Sequence, residues 1–296
     1  MSGGFSKQTV GYILLTFFLW GSIYAVGKLI AGDVPPFLLA CLRCAVGVVP
    51  LAIMAKKYWH MPIDKADRKW FILGGFFGYF MNLQLVQLGI YLTGASVAAL
   101  INSLTPVTVA ILAAFLLKEK ITPVKCLCIV LAIAGTLVVS GGASGKNDIY
   151  GIICMIAAMC AFSVTTVAMR RLAAKYPPIL ITMYMVVVGL AFDIPVGVYT
   201  ALTQPVNVAP RVVCIILYLG IFGTGLAQFS WAKCLSILPA STCSLFYPLQ
   251  AISSALLGSV ILGETFTPYF FWGLALITLD IFLNGWETNR LAKTSH

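Results

Sequence analysis

One stretch of this chain is written twice. Ala95-Ser96-Val97-Ala98-Ala99-Leu100 runs on through Pro106 to Glu119-x-x-Thr122-Pro123, and Ala240-Ser241-Thr242-Cys243-Ser244-Leu245 runs on through Pro248 to Glu264-x-x-Thr267-Pro268. At an offset of 145 residues, without a gap, Ala95/Ala240, Ser96/Ser241, Leu100/Leu245, Ala110/Ala255, Glu119/Glu264, Thr122/Thr267 and Pro123/Pro268 coincide. The same offset carries Gly75 onto Gly220 and Gly78 onto Gly223. Chance matching of Leu and Ala accounts for some of these pairs, but not for Glu-x-x-Thr-Pro recurring in register. A long internal repeat limits the fold before any local signal is weighed. The chain reads as two copies of one unit, residues 1–145 and 146–296. The start of each unit aligns at offsets of 140 (Gly11/Gly151) and 142 (Pro35-Pro36/Pro177-Pro178), so a small change of loop length intervenes.

Composition says where such a unit folds. The chain is 60% hydrophobic and 9% charged, with a mean hydropathy of +0.99, against roughly 25% charged residues in a soluble domain. Ten apolar segments are long enough to cross about 30 Å of hydrocarbon: approximately 9–30, 34–55, 70–90, 94–117, 123–141, 149–169, 177–201, 211–232, 240–262 and 268–286. The first lacks a small-residue cleavage pattern and is kept as a span. The expected fold class is an all-α integral membrane protein.

The net charge of +10 does not indicate nucleic acid, because the basic residues sit at span ends and are not interleaved with stacking aromatics. With the N-terminus in the cytoplasm, Lys7, Lys56, Lys57, Lys65, Arg68, Lys69, Lys118, Lys120, Lys125, Arg170, Arg171, Lys175, Lys233, Arg290 and Lys293 fall inside, and only Lys28, Lys146 and Arg211 fall outside. This asymmetry predicts both termini in the cytoplasm. Five spans per unit is an odd number, so the second copy must enter the membrane in the opposite sense. The ten helices are expected as two inverted five-helix repeats.

Several residues resist a purely structural reading. Pro106 and Pro248 sit inside spans, each removing a helical hydrogen bond and freeing the carbonyls of Asn102 and Ser244. A kinked helix lined with amides and hydroxyls suits a mid-membrane binding cavity; the plainer alternative is a kink buried between helices. Trp20 and Tyr24 stand one turn apart in the first span, with Trp20 about 16 Å deep by helical rise. With Trp231 and Tyr247 they could wall an aromatic chamber, or pack as core. The third span carries Tyr79, Asn82, Gln84 and Gln87, and the eighth carries Thr224 and Gln228; amides do not face lipid cheaply. Arg43 lies near mid-depth of the second span. An ionisable residue there is a functional candidate, either receiving a substrate carboxylate through its fork or bonding carbonyls at a kink. Asp193 and Asp280, the acidic residues within spans, are candidates to carry a coupling proton. Lys28 reads as a snorkelling residue. Thr122-Pro123 and Thr267-Pro268 are helix-start chemistry, and Glu119 and Glu264 mark the hairpins before them. The nine cysteines read as small buried hydrophobes. No metal-ligand spacing, phosphate-cradling loop or catalytic motif is present in the sequence, so neither an enzyme nor a cofactor is expected.

This punctuation resembles the drug/metabolite transporter superfamily, in particular its ten-span EamA-type members. The residues that carry the resemblance are Leu19-Trp20-Gly21-Ser22 with Lys28, Arg43 after Pro35-Pro36, Ala95-Ser96 with Pro106 and Glu119-x-x-Thr122-Pro123 and their repeat at 240–268, and the basic pair Arg170-Arg171 closing the sixth span. One departure is at the prolines, since offset 145 carries Pro106 onto Ala251, so the two helix breaks differ by about one turn. The resemblance implies a transporter of small organic molecules in the plasma or inner membrane. The expected activity is secondary transport of amino acids or similar metabolites by alternating access, export rather than uptake. The expected partners are the substrate, the bilayer and coupling protons, in a monomer or homodimer. The expected lining is Trp20, Tyr24, Arg43, Tyr79, Asn82, Asn102, Gln228, Trp231 and Tyr247. Transport of nucleotide sugars or drug-like cations by the same fold is the alternative, and an intramembrane enzyme or sensor is the alternative of another class.

Overall fold

The structure, a computed structural model, describes residues 6–93, 95–118, 121–141, 149–263 and, beyond these, 268–269, 271–273, 275–276, 279, 282–283, 286–287 and 290. All regular structure among the described residues is helical. In chain order the helices are α1 (Lys7–Lys28), α2 (Pro36–Ala55), α3 (Lys65–Leu92), α4 in two pieces (Ala95–Asn102 and Thr105–Leu117), α5 (Pro123–Gly141), α6 (Ile149–Leu172), α7 (Pro178–Thr203), α8 (Pro210–Ile237) and α9 in two pieces (Ala240–Ser244 and Pro248–Leu262). The tenth span, expected over 268–286, is described at scattered positions, all of them helical. Among the described residues, seven helices are long and apolar enough to cross a membrane. Large apolar side chains face outward along them: Phe115, Leu202 and Val260 are 80%, 81% and 83% exposed, which is stable only in a hydrocarbon solvent.

Local chemistry sets the helix ends. The Ser6 hydroxyl accepts from the Thr9 N–H at 3.1 Å and caps α1, a contact that contributes about 1 kcal/mol. Pro36, Pro178 and Pro210 open their helices, where a missing N–H costs nothing. Thr122 caps α5, accepting from the Lys125 N–H at 3.2 Å. Helix α4 ends at Lys118 with φ 56°, and α9 ends at Gly263 with φ 68°. These two left-handed corners are 145 residues apart, as the duplication requires. Glu119, Glu264 and Thr267, read as hairpin and capping residues, lie outside the described residues.

The breaks in α4 and α9 fall where the prolines demand them, and the freed carbonyls are met locally. The Asn102 carbonyl accepts from the Thr105 hydroxyl at 2.5 Å, and the Ser244 carbonyl accepts from the Tyr247 N–H at 3.0 Å. Helices α3 and α8 each contain a wider π-helical stretch, Phe76–Met81 and Leu219–Leu226, whose last residues again coincide at offset 145.

The repeats do not pack as separate halves. Helices α1 and α2 of the first repeat pack against α8 and α9 of the second, while α6 and α7 of the second pack against α3 and α4 of the first. The molecule is thus two mixed bodies, joined along α2 and α7, which lie side by side through the centre. Each body holds ion pairing of its own among the described residues: Arg211 Nη2 reaches Asp33 at 3.0 Å in the first, and Lys175 Nζ reaches Asp67 at 2.8 Å and Asp64 at 3.5 Å in the second. The hydrogen bond to Asp67 holds the Lys175 ammonium above its ordinary pKa.

Candidate substrate cavity

The two bodies meet around a buried cavity near the middle of the spans. The breaks in α4 and α9 bring Asn102, Tyr247 and Gln250 to it. Helix α1 supplies Trp20, Ile23 and Tyr24, α2 supplies Arg43, α3 supplies Asn82, Leu83 and Val86, α6 supplies Phe162, and α8 supplies Gln228. The free space at its centre is about 40 Å³, room for a few water molecules.

One wall is aromatic. Trp20 meets Phe162 edge-on with ring centroids 5.4 Å apart, and it lies 5.6 Å from Tyr247 and 5.4 Å from Trp231. Phe17 closes the cluster from behind, 5.2 Å from Tyr247. The edge-on contacts of Trp20 with Phe162 and of Phe17 with Tyr247 are favourable beyond simple burial.

The facing side is polar, and three of its hydrogen bonds, Asn102–Tyr24, Tyr79–Gln228 and Arg43–Gln87, run between the bodies. The Asn102 amide donates to the Tyr24 hydroxyl at 2.9 Å. The Tyr79 hydroxyl donates to Gln228 Oε1 at 3.2 Å. Arg43 is 2% exposed; its Nε donates to the Thr224 hydroxyl and its Nη1 to Gln87 Oε1, both at 3.1 Å. Its Nη2 makes no hydrogen bond among the described residues, and no carboxylate pairs with it there. Asn102 Oδ1 and both amide atoms of Gln250 are buried without a partner among the described residues. Unpaired buried polar atoms are costly, and these three, around one cavity, are free to meet the donors and acceptors of a guest molecule.

Of the expected lining residues, Trp20, Tyr24, Arg43, Asn82, Asn102, Gln228 and Tyr247 border the cavity. Tyr79 and Trp231 do not. Tyr79 stands behind Gln228, which its hydroxyl orients, and Trp231 stands behind Trp20 and Tyr247. Asn82 borders the cavity with its amide nitrogen already donated to the Ala158 carbonyl at 2.8 Å. Gln250 and Phe162 were not anticipated, although both left a trace: Gln250 is an amide two residues past the span-breaking Pro248, and Phe162 is the counterpart of Trp20 at offset 142. Asp193 is fully buried away from the cavity, accepting from the Gln84 amide at 2.5 Å. Asp280 lies outside the described residues.

Lys28 does not snorkel. Its ammonium donates to the carbonyls of Ile90 and Thr93 at 2.8 and 2.6 Å, holding the end of α3. Arg170, at the matching end of α6, donates to the Leu235 carbonyl near the end of α8 at 2.5 Å. Leu235 is Ile90 displaced by 145, and Arg170 is Lys28 displaced by 142. Each contact ties one mixed body to the other, and inversion of the repeats sets the two ties at opposite ends of the bundle.

Comparison with known proteins agrees with this architecture. The chain is 27% identical to the uncharacterized transporter YetK of Bacillus subtilis, over 94% of this chain and 87% of that one. It is 29% identical to an uncharacterized transporter of Archaeoglobus fulgidus over 92% of this chain and 96% of that one. It is 26% identical to a WAT1-related chloroplastic protein of Arabidopsis thaliana over 96% of this chain and 71% of that one. One crystal structure of a protein shares the fold, with a TM-score of 0.75 over 94% of this chain and 98% of that one at 23% identity. The EamA-like transporter family matches twice, over residues 8–141 and again over 149–286. That double match covers both copies of the duplication, and the chain belongs to the EamA-like transporter family, within the drug/metabolite transporter superfamily, and is a multi-pass membrane transporter.

Proposed function

We propose that the protein moves amino acids or similar small organic metabolites by alternating access, without ATP, in the export direction, with both termini in the cytoplasm of a plasma or inner membrane. The observation that carries this reading is a buried cavity lying between two bodies that are tied at opposite ends, by Lys28 at one and Arg170 at the other. Rocking of the mixed bodies about the α2–α7 seam opens one tie while the other stays made, exposing the cavity to one side at a time. The aromatic wall takes the apolar part of the substrate, and Arg43 takes its carboxylate. A nucleotide sugar would need further cations beside Arg43, the one charged side chain bordering the cavity among the described residues.

Asp193 is the proposed proton carrier. It is wholly buried, its second oxygen has no partner among the described residues, and no basic group pairs with it there. A carboxylate at that depth with no basic group paired to it is a functional candidate.

The test is counterflow in proteoliposomes with radiolabelled phenylalanine and a metabolite panel. Trp20→Ala and Asn102→Ala are expected to reduce exchange at least tenfold, and full exchange in both would remove the cavity as the transport site. Asp193→Asn is expected to keep counterflow while losing accumulation driven by a pH gradient. Retained gradient-driven accumulation would discard Asp193 as the carrier.

A further inference from the structure

Gln250 stands out among the residues around the cavity. It is 1% exposed, it borders the cavity, and both its Oε1 and its Nε2 lack a partner among the described residues. Its counterpart at offset 145 is Thr105, whose hydroxyl is spent on the Asn102 carbonyl. The same backbone position is therefore satisfied within the chain in one repeat and left open in the other. Nearby, Asn102 has given its amide nitrogen to Tyr24 and presents a bare Oδ1. The cavity thus offers two acceptors, Gln250 Oε1 and Asn102 Oδ1, beside two donors, Gln250 Nε2 and Arg43 Nη2.

A ligand carrying only a carboxylate would meet the donors and bring its charge against two amide oxygens. One carrying only an ammonium would meet the oxygens, leave Nε2 unpaired and set a second cation near Arg43. A ligand with both groups on neighbouring atoms satisfies all four sites. We propose that Gln250 is the specificity-determining residue of the cavity, its amide reading an adjacent donor and acceptor on the ligand: Nε2 donates to the carboxylate shared with Arg43, and Oε1 accepts from the ammonium shared with Asn102. The inference rests on the transport site assigned above and deepens it. It makes the protein selective for intact zwitterionic head groups over their des-amino and decarboxylated analogues.

The test is equilibrium binding to the purified full-length protein with three probes that share one ring: L-phenylalanine, 3-phenylpropionate and phenethylamine. A site that leaves buried amide atoms unpaired with the wrong ligand discriminates strongly, so the wild type is expected to prefer phenylalanine to either analogue by roughly tenfold to a hundredfold. Gln250→Leu is expected to bring all three affinities within about threefold. Gln250→Glu keeps the shape while replacing the donor by an acceptor, and is expected to turn the preference toward phenethylamine. A wild-type preference that survives unchanged in either folded variant overturns the inference. Arg43→Gln separates this failure from that of the transport site. If it weakens phenylalanine binding while the Gln250 variants leave the preference intact, only the role of Gln250 falls; if none of the probes binds the wild type, the site assignment falls with it.

Discussion

In α3, Gly75 lies so close to α7 that a Cβ there would sit 2.6 Å from Val188 Cβ; in α8, Gly220 lies as close to α2, 2.5 Å from Val46 Cβ. The two contacts are one contact displaced by the duplication, as are the ties made by Lys28 and Arg170. The cavity tells the opposite story. Where the first repeat has Tyr24, Arg43, Asn82 and Asn102, the second has Thr166, Met185, Ala227 and Tyr247; where the second has Gln228 and Gln250, the first has Leu83 and Thr105. Contacts that set how helices approach have been kept in both copies. Side chains that border the cavity have diverged, so a nearly symmetric frame encloses a chemically lopsided space. Only Trp20 and Phe162 remain alike there, and as counterparts they meet each other edge-on.

The comparison can be broken most severely at the glycines. Gly75→Val and Gly220→Val are each expected to abolish recovery of monodisperse protein in fluorescence-detected size exclusion, because added atoms collide with a neighbouring helix inside a packed interior. Tolerance at one position and collapse at the other would show that the repeats do not share this contact in energy as they share it in geometry.

The ties come next. A hydrogen bond from a charged donor contributes about 1.5–3 kcal/mol, enough to move a two-state balance roughly tenfold. Lys28→Ala and Arg170→Ala are expected to shift the cavity's accessibility in opposite directions, measured by labelling of a cysteine placed at Val86 with membrane-impermeant reagent from either side. Shifts in the same direction would mean that the two ends do not act as alternates.

The smallest effect is expected at the ion pairs, which occupy related corners with their signs exchanged: Asp33 with Arg211 in one body, Lys175 with Asp67 in the other. The exposed Lys175 should move the melting temperature of Lys175→Ala by less than about 2 °C. Its raised pKa fixes the sign of the pH dependence. The stabilisation is complete below the ordinary lysine value and is lost as pH climbs through the raised one. Melting curves of the wild type and Lys175→Ala from neutral to strongly alkaline pH should therefore converge as the pair is lost, and curves that stay equally far apart would remove the pair as the cause.

Much of the fold was legible because hydropathy, repeat spacing and the parity of five spans are properties of the chain read in order. Thr122 and the two prolines behaved as local chemistry predicts. What could not be read was partner choice. That α1 and α2 pack on helices of the other repeat depends on surfaces nearly two hundred residues apart, and nothing local in Gly47 or Gly75 names Thr224 or Val188. The same blindness put Tyr79 and Trp231 on the cavity, when a second layer orients the first, and left Lys28 as a surface residue. It also hid Gln250, whose interest lies in what it fails to touch.

The exchange of partners between repeats bears on how the protein is made. As translation proceeds, α1 and α2 enter the bilayer long before α8 and α9 exist. At about 5–20 residues per second they wait on the order of tens of seconds. Throughout that interval Arg43 lies in lipid without Thr224, and Gln87 and the water drawn in by its charge must shelter it. Neither repeat can complete itself, so the membrane holds an unfinished assembly until α9 has left the ribosome.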